Sequence, residues 1–126
     1  MELKLALLAA LGGGLGSVAR YTVGAIALRA FGPSFPWGTF AVNVAGCCLM
    51  GVVAGLAIYR LQMSAELRVF LATGFLGGFT TFSAFALDAY TLYEKSLATA
   101  VLYVLASVLL SLAAFVVGMA AVKLAS

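Results

Sequence analysis

The sequence predicts an all-α membrane protein with four transmembrane helices, the third of them broken mid-membrane. Hydrophobic residues make up 65% of the chain and charged residues 9%, and histidine is absent, whereas a soluble domain carries about 25% charged residues. Three stretches contain no Asp, Glu, Lys or Arg: 38–59, 69–87 and 97–122. A fourth, 5–28, contains one charge, Arg20. Each has close to or more than the roughly 20 residues that a membrane-spanning helix needs.

We expect helices at about 4–30, 38–60, 66–92 and 97–123, forming one transmembrane domain over residues 1–126. This arrangement leaves no residues for a soluble domain, a nucleotide site or an extramembrane enzyme. A cleavable signal peptide is the alternative interpretation of the N-terminus. However, no small-x-small cleavage site follows the first apolar residues, so a first membrane span is favoured.

Short polar or proline-containing segments join the predicted helices, at 31–37, 61–66 and 93–96. Pro33 and Pro36 prevent helix in the first connection. Ser64 and Ser96 precede the third and fourth helices, where a serine side chain can cap the helix N-terminus. Four spans joined in this way put both termini and the 61–66 connection on the same side of the membrane.

The basic residues predict the orientation only weakly. Four of them fall on the side of the termini: Lys4, Arg60, Arg68 and Lys123. The other side has Arg29 and Lys95, and Arg20 if its side chain extends to the headgroups. A difference of one or two positive charges is a poor orientation signal. Both a single orientation and a dual topology, in which copies insert both ways and pair antiparallel, therefore stay open.

Polar residues inside the first two spans are candidate functional residues. A charge at the centre of a membrane helix costs at least about 2.5–3.5 kcal/mol, so Arg20 either reaches the headgroups or lies in an aqueous vestibule that attracts anions. Asn43 either bonds a neighbouring helix or donates its amide hydrogens to an anion. The pairs Gly12-x-x-x-Gly16 and Gly51-x-x-x-Gly55 are typical of close helix packing.

The fourth span carries three hydroxyl groups at a spacing of four residues: Tyr103, Ser107 and Ser111. This spacing places them along one face of a helix. A single serine in a membrane helix usually bonds its own backbone, but three in register favour a lined path for a polar species. Cys47 and Cys48 of the second span are expected to be small buried apolar residues.

The segment "GFLGGFTTFSAF" (74–85) predicts the break in the third helix. Gly74, Gly77 and Gly78 stand beside Thr80 and Thr81, and glycine and β-branched residues are poor helix formers. Unpaired backbone carbonyls inside a bilayer need a protein group or an ion as a partner. Carbonyl oxygens are ligands for hard cations, and Na+ is the obvious candidate. The alternative interpretation is a patch of tight helix packing.

After this break, Phe82 and Phe85 lie three residues apart and are therefore neighbours on one helix face. Phe75 and Phe79 precede the break and are not counted with them. Phenyl rings in membranes commonly face lipid or pack against other helices. A ring also has a positive edge, and ring edges in a narrow pore can hold an anion weakly enough for it to leave again.

These motifs resemble those of the Fluc fluoride channels, also called CrcB proteins. The resemblance rests on "GSVARY", "GTFAVNVAG" and above all "GFLGGFTTFSAF", and extends over all four helices. It implies a fluoride-selective channel of the cell inner membrane that exports fluoride passively and confers fluoride resistance. It also implies an antiparallel, dual-topology homodimer with two fluoride pores and one structural Na+ at the dimer centre. The implied partners are a second copy, fluoride and the lipid membrane, and not nucleic acid.

The resemblance assigns roles to residues. The fluoride pore would be formed by Arg20, Thr39, Asn43, Thr81, Phe82, Phe85, Tyr103, Ser107 and Ser111. The backbone carbonyls of Gly77 and Thr80 would hold Na+, and Thr80 would act through its carbonyl alone. Ala84, Ala86, Asp88 and Phe79 depart from the residues usual in the family. The two alanines remove hydroxyls from this part of the predicted polar track.

Other classes of protein fit the sequence less well. The main alternative is a small proton-coupled multidrug-type cation exporter, which needs a carboxylate at membrane depth, usually in the first helix. Here the first helix holds Arg20, and Asp88 lies near interfacial tyrosines. A non-conducting accessory protein would not need polar side chains that converge on particular helix faces. An enzyme is not expected, because no nucleophile–base pair or metal-binding cluster is present.

Overall fold

The computed structural model describes residues 2–60 and 63–126. Over this part of the chain it contains helices and no strands, which confirms the predicted all-α class. We number the helices α1 (Leu3–Phe31), α2 (Trp37–Gly55, continued by the π-helix Leu56–Arg60), α3 (65–79), α4 (Phe82–Lys95) and α5 (Leu97–Ala125). Helix α3 consists of the α-helix Ala65–Arg68, the π-helix Val69–Leu76 and a final turn, Gly77–Phe79.

Within the described residues, four spans are long and apolar enough to cross a membrane: Leu3–Phe31, Trp37–Arg60, Ala65–Lys95 and Leu97–Ala125. The third span comprises α3 and α4. With four such spans, the protein is a multi-pass membrane protein. Each boundary lies within three residues of the range expected from the sequence. Of the connection expected at 61–66, residues 61 and 62 lie outside the part that the structure describes, as does Met1.

Local sequence signals account for the helix ends. The Ser64 side chain accepts a hydrogen bond from the backbone N–H of Leu67 at 3.1 Å, and Ser96 accepts one from Thr99 at 3.3 Å. Both serines therefore cap the helices that follow them, as predicted. Helix α1 ends at Phe31 and is followed by Gly32, whose φ of 78° favours a residue without a side chain.

Glycines set the distances between the packed helices. A Cβ atom added to Gly16 would collide with the backbone carbonyl of Phe75, so α1 lies directly against α3. In the same way, a Cβ on Gly51 would collide with the carbonyl of Phe115, and one on Gly118 with that of Cys48. These contacts join α2 to α5. The predicted packing role of the glycine pairs in the first two spans is confirmed.

Large apolar side chains cover much of the outer surface. Many leucines are more than half exposed, among them Leu11 at 63% and Leu109 at 62%. A cluster of buried side chains, formed by Phe85, Leu92, Ala100 and Tyr103, joins α4 to α5. An apolar exterior around a small core is what a bilayer requires, because lipid tails take the place of water as the solvent.

Candidate functional site

The helix break lies at Thr80 and Thr81, as predicted. Both residues have extended backbone conformations, with φ −88° and ψ 159° for Thr80 and φ −152° and ψ 118° for Thr81. Asn43 on α2 takes the place of the helical partner that the Thr81 N–H has lost, and it also bonds the Thr81 carbonyl. Its Oδ1 accepts from the Thr81 N–H at 2.7 Å, and its Nδ2 donates to the Thr81 carbonyl at 3.0 Å. The Asn43 amide thus pairs with both backbone groups of Thr81.

The two threonine hydroxyls finish the helices on either side of the break. Thr80 Oγ1 donates to the carbonyl of Leu76 at 2.9 Å and so closes the end of α3. Thr81 Oγ1 accepts from the backbone N–H of Ala84 at 3.1 Å and caps the start of α4. The threonine pair therefore allows the break without leaving these groups unpaired in a bilayer.

The same hydrogen bonds divert the usual donors away from two carbonyls. In an unbroken α-helix the carbonyl of Gly77 would accept from the N–H of Thr81, and that of Thr80 from the N–H of Ala84. Those N–H groups bond Asn43 Oδ1 and Thr81 Oγ1 instead. The carbonyls of Gly77 and Thr80, the pair expected to bind Na+, therefore do not receive their helical donors. Carbonyl oxygens of this kind suit a hard cation.

Arg20 contributes to the break from α1. Its Nε donates to the carbonyl of Gly78 at 2.9 Å. This hydrogen bond holds the stem of the side chain beside the break. The other guanidinium nitrogens still carry hydrogen-bond donors beyond Nε. Arg20 therefore places a positive charge beside the break.

An open groove of about 300 Å³ begins at the break and runs along α5. Its lining includes most of the predicted pore residues: Asn43, Thr81, Phe82, Phe85, Ser107 and Ser111. Thr80, predicted as a Na+ ligand, lines it as well. Cys47, Val108 and Leu112 complete the wall. No charged side chain is among these residues, so the groove offers a bound ion dipoles and hydroxyls but no fixed countercharge.

Two further predicted pore residues lie elsewhere around the break. Arg20 and Thr39 line a second cavity of about 380 Å³. Thr81 lines both this cavity and the groove, and so forms part of the wall between them. Tyr103 and Gly77 line neither of the two. Gly77 lies at the end of α3, and Tyr103 is buried beneath Phe85.

The two predicted phenylalanines are neighbours at the start of α4. Their ring centroids are 5.6 Å apart, at an interplanar angle of 36°. Phe82 is 81% exposed, whereas Phe85 is 9% exposed and packs against Tyr103 at 5.3 Å. Phe75 and Phe79 form a separate stacked pair before the break. The Phe85 ring is therefore anchored in the core, whereas the Phe82 ring is exposed on the surface of the chain.

The three hydroxyls of α5 differ in their surroundings. The Tyr103 hydroxyl donates to Asp88 Oδ2 at 3.4 Å, and the side chain is fully buried. Ser107 is 5% exposed, and its Oγ is buried without a hydrogen-bond partner among the described residues. Ser111 lines the groove one turn further along. A buried hydroxyl without a protein partner is unusual, and a water molecule or an ion can serve as its partner.

Sequence reasoning missed two residues beside this site. Cys47 was expected to be an ordinary buried residue, yet it lines the groove. Its position one helical turn after Asn43 was the available signal. Phe35, from the connection after α1, packs edge-on against Tyr103 at 5.4 Å and 90°. No local pattern in the 31–37 segment indicates this contact.

Comparisons with known proteins agree on one family. The family described as CrcB-like protein, Camphor Resistance (CrcB), matches residues 7–119. A protein of Rhizobium etli strain CIAT 652, named fluoride-specific ion channel FluC, is 58% identical over 94% of this chain and 95% of its own length. A FluC of Paracoccus denitrificans is 57% identical over 87% of each chain. A Nitrobacter hamburgensis protein named FluC 2 is 46% identical over 93% of this chain and 95% of its own.

Proposed function

This chain belongs to the CrcB-like protein family, and on that premise we propose that it is a fluoride-selective channel that passively exports fluoride from the cytoplasm. It is a multi-pass membrane protein and not an enzyme. The inner membrane of a bacterium is its proposed location, because the relatives that it matches are bacterial proteins named as fluoride channels.

The groove beside the helix break supports this proposal most directly. It combines the Asn43 amide, the hydroxyls of Ser107 and Ser111 and the ring pair Phe82 and Phe85 along one wall. Donors and positive ring edges attract an anion, while the lack of a basic side chain keeps binding weak. Conduction needs binding of this kind, strong enough for the ion to enter and weak enough for it to leave.

The Asn43 amide can offer only one hydrogen-bond donor to the ion. One of its N–H groups and its oxygen are engaged by Thr81. An amide nitrogen carries two hydrogens, so one N–H remains for the ion. We assign Asn43 two functions: it holds the break open, and it offers this remaining donor to fluoride.

We further propose an antiparallel, dual-topology homodimer with a structural Na+ at its centre. Each protomer supplies the carbonyls of Gly77 and Thr80, whose helical donors are diverted. A twofold pair would bring four such oxygens together, a hard donor set that suits Na+. The bound ion would neutralise the carbonyl dipoles at the centre of the membrane. The second protomer would also cover Phe82, which is 81% exposed here.

A passive pore is sufficient for export. HF crosses a bilayer as a neutral acid and ionises in a near-neutral cytoplasm, where the anion is trapped. A potential of 100 mV, negative inside, drives one negative charge outward by about 2.3 kcal/mol. Since about 1.4 kcal/mol corresponds to a factor of ten, this potential sustains roughly a 40-fold gradient. The function therefore needs no energy-coupling domain.

Liposome efflux tests the function. Purified protein is reconstituted with internal fluoride or chloride, a K+ ionophore is added to dissipate the voltage, and ion-selective electrodes follow release. We expect rapid fluoride efflux without chloride efflux. Absence of fluoride efflux from well-folded protein would refute the proposed function, and uptake of an organic cation driven by a proton gradient would then indicate the multidrug-type exporter.

A further inference from the structure

We propose that Cys47 is a modification site through which small thiol-directed reagents close the groove. This inference rests on the proposed function, because it treats the groove as the path of the ion. Cys47 lies one turn after Asn43 on α2, and both side chains line the same groove. An adduct on Cys47 would therefore occupy space between Asn43 and the serines of α5.

The Ser107 hydroxyl has no hydrogen-bond partner in the described chain, which indicates that a polar species occupies the groove that Cys47 also lines. Ser107 is 5% exposed, and its Oγ has no hydrogen-bond partner in the described chain. A buried hydroxyl in this state needs water or an anion as its partner. Cys47 and Ser107 line one groove, so an occupant that bonds Ser107 shares the space that the Cys47 thiol borders.

Hydration decides whether a membrane cysteine reacts. The nucleophile is the thiolate, and a thiol surrounded by hydrocarbon does not ionise. A thiol in a wet groove can do so and attack the sulfenyl sulfur of a methanethiosulfonate. A protein–reagent disulfide forms, the sulfur–sulfonyl bond breaks, and methanesulfinate leaves with the bonding electron pair. The step consumes one reagent molecule and needs no other oxidant.

Cys48 is the matched control in the same helix. It follows Cys47 directly, about 100° further around the helix, and it does not line the groove. Its backbone carbonyl lies against Gly118, in the close contact between α2 and α5. Both cysteines are free thiols of intermediate exposure. They therefore differ mainly in whether they face the groove.

The experiment treats proteoliposomes with (2-sulfonatoethyl) methanethiosulfonate and measures fluoride efflux before and after. Unmodified protein, Cys47→Ala, Cys47→Ser and Cys48→Ala are compared, each normalised to its own efflux before treatment, and intact-protein mass spectrometry counts the adducts. We expect at least tenfold loss of efflux in the unmodified protein and in Cys48→Ala, because the adduct adds bulk and a negative charge. Both Cys47 variants should be insensitive.

Each other result contradicts the inference. A Cys47 adduct with unchanged efflux would show that the ion does not pass this wall. An unlabelled Cys47, or labelling of Cys48 alone, would show that the groove is not hydrated there. Absence of fluoride efflux before treatment would refute both the proposed function and the proposed closure of the groove by the reagent. Normal efflux that the reagent does not reduce would refute the proposed closure alone.

Discussion

At the scale of single residues, Asn43 determines the form of the site. Its side chain substitutes for the helical partner of the Thr81 N–H at 2.7 Å and also donates to the Thr81 carbonyl at 3.0 Å. A side-chain amide suits this position because it carries a donor and an acceptor in one plane, as a peptide group does. The chain can therefore leave the helix inside the membrane while both backbone groups of Thr81 stay paired.

Replacement of Asn43 by Ala should lower both stability and fluoride flux. The Thr81 N–H would lose its partner, and an unsatisfied buried group costs about 1–3 kcal/mol. Thermal unfolding in detergent and liposome efflux measure the two effects. Ser111→Ala serves as the control, since Ser111 lines the groove beyond the break and should affect flux alone. Equal melting temperatures for Asn43→Ala and the unmodified protein would contradict the structural role.

The different burial of Phe82 and Phe85 predicts that their replacement affects fluoride efflux alike but melting temperature differently. Phe82→Ile should reduce fluoride efflux at least tenfold with a smaller fall in melting temperature than Phe85→Ile, because Phe82 is 81% exposed and contributes little to the packing of its own chain. Phe85→Ile should reduce efflux similarly and also lower the melting temperature, because Phe85 is 9% exposed and packs on Tyr103. Unchanged efflux in both variants would refute the role of the ring edges.

Thr80 predicts a mild effect of a side-chain change. Thr80→Ser retains the backbone carbonyl proposed for Na+ and the hydroxyl that bonds the Leu76 carbonyl. We therefore expect the Na+ dependence of dimer stability to remain close to that of the unmodified protein. The measurement compares thermal unfolding in Na+ with unfolding in N-methylglucamine. A large loss of the Na+ response in Thr80→Ser would place the ion on the side chain instead.

At the scale of the helices, the contact between α1 and α3 holds the break in position. Gly12 and Gly16 on α1 lie against the π-helix Val69–Leu76, so closely that a Cβ on either would collide with its backbone. A π-helical stretch in the middle of a span is unusual and is common at functional sites. Here it directly precedes the turn from which the Gly77 carbonyl comes.

Two glycines of α1 offer a matched test of this contact. In Gly16→Ala the new methyl group would meet the carbonyl of Phe75, a backbone group that cannot rotate away. Overpacking of this kind costs about 1–3 kcal/mol or more. A Cβ on Gly14 would meet nothing within 4 Å, and alanine favours a helix by about 1 kcal/mol over glycine.

We therefore expect Gly16→Ala to lower the melting temperature in detergent and the yield of folded protein. Gly14→Ala should leave both unchanged or slightly raised. If the two variants were equally stable, helices α1 and α3 would have to be further apart than the structure shows.

At the scale of the whole molecule, basic side chains lie on both sides of the membrane. Lys4, Arg60, Arg68 and Lys123 lie on the side of the termini, and Arg29 and Lys95 lie on the other. Arg60 donates to the carbonyl of Ala125 at 2.9 Å, and Lys123 lies over the ring of Tyr59, so the ends of α2 and α5 meet. At the same end, Lys4 and Glu66 approach to 3.9 Å. The end of α2, the end of α5 and the starts of α1 and α3 therefore share one side of the membrane, as four successive spans require.

The balance of charge between the two ends predicts sensitivity to added lysines. Three lysines placed in the 31–37 connection should hold that end in the cytoplasm and yield one orientation. Fluoride efflux should be lost, because an antiparallel dimer needs both orientations. Co-expression with a copy that carries lysines in the 61–66 connection should restore it. Efflux from a uniformly oriented population, with orientation checked by tag accessibility, would refute the antiparallel dimer.

The all-α membrane class, the four spans and the location of the helix break could be predicted from the amino-acid sequence. These properties depend on composition and on local conformational preference: apolar runs long enough for a bilayer, and Gly77 and Gly78 beside Thr80 and Thr81, where a helix is poorly favoured. The capping serines and the packing glycines were predictable for the same reason. A resemblance in "GFLGGFTTFSAF" pointed to the family that the comparisons then showed.

The hydrogen-bond partners that lie on different helices could be identified only from the tertiary structure. The bonds from Asn43 to Thr81 and from Arg20 to Gly78 join residues 38 and 58 positions apart. Cys47 in the groove and Phe35 against Tyr103 are likewise products of packing. Side-chain partners at such separations depend on how the helices are rotated and how deeply they are placed, and no local pattern in an apolar chain encodes either quantity.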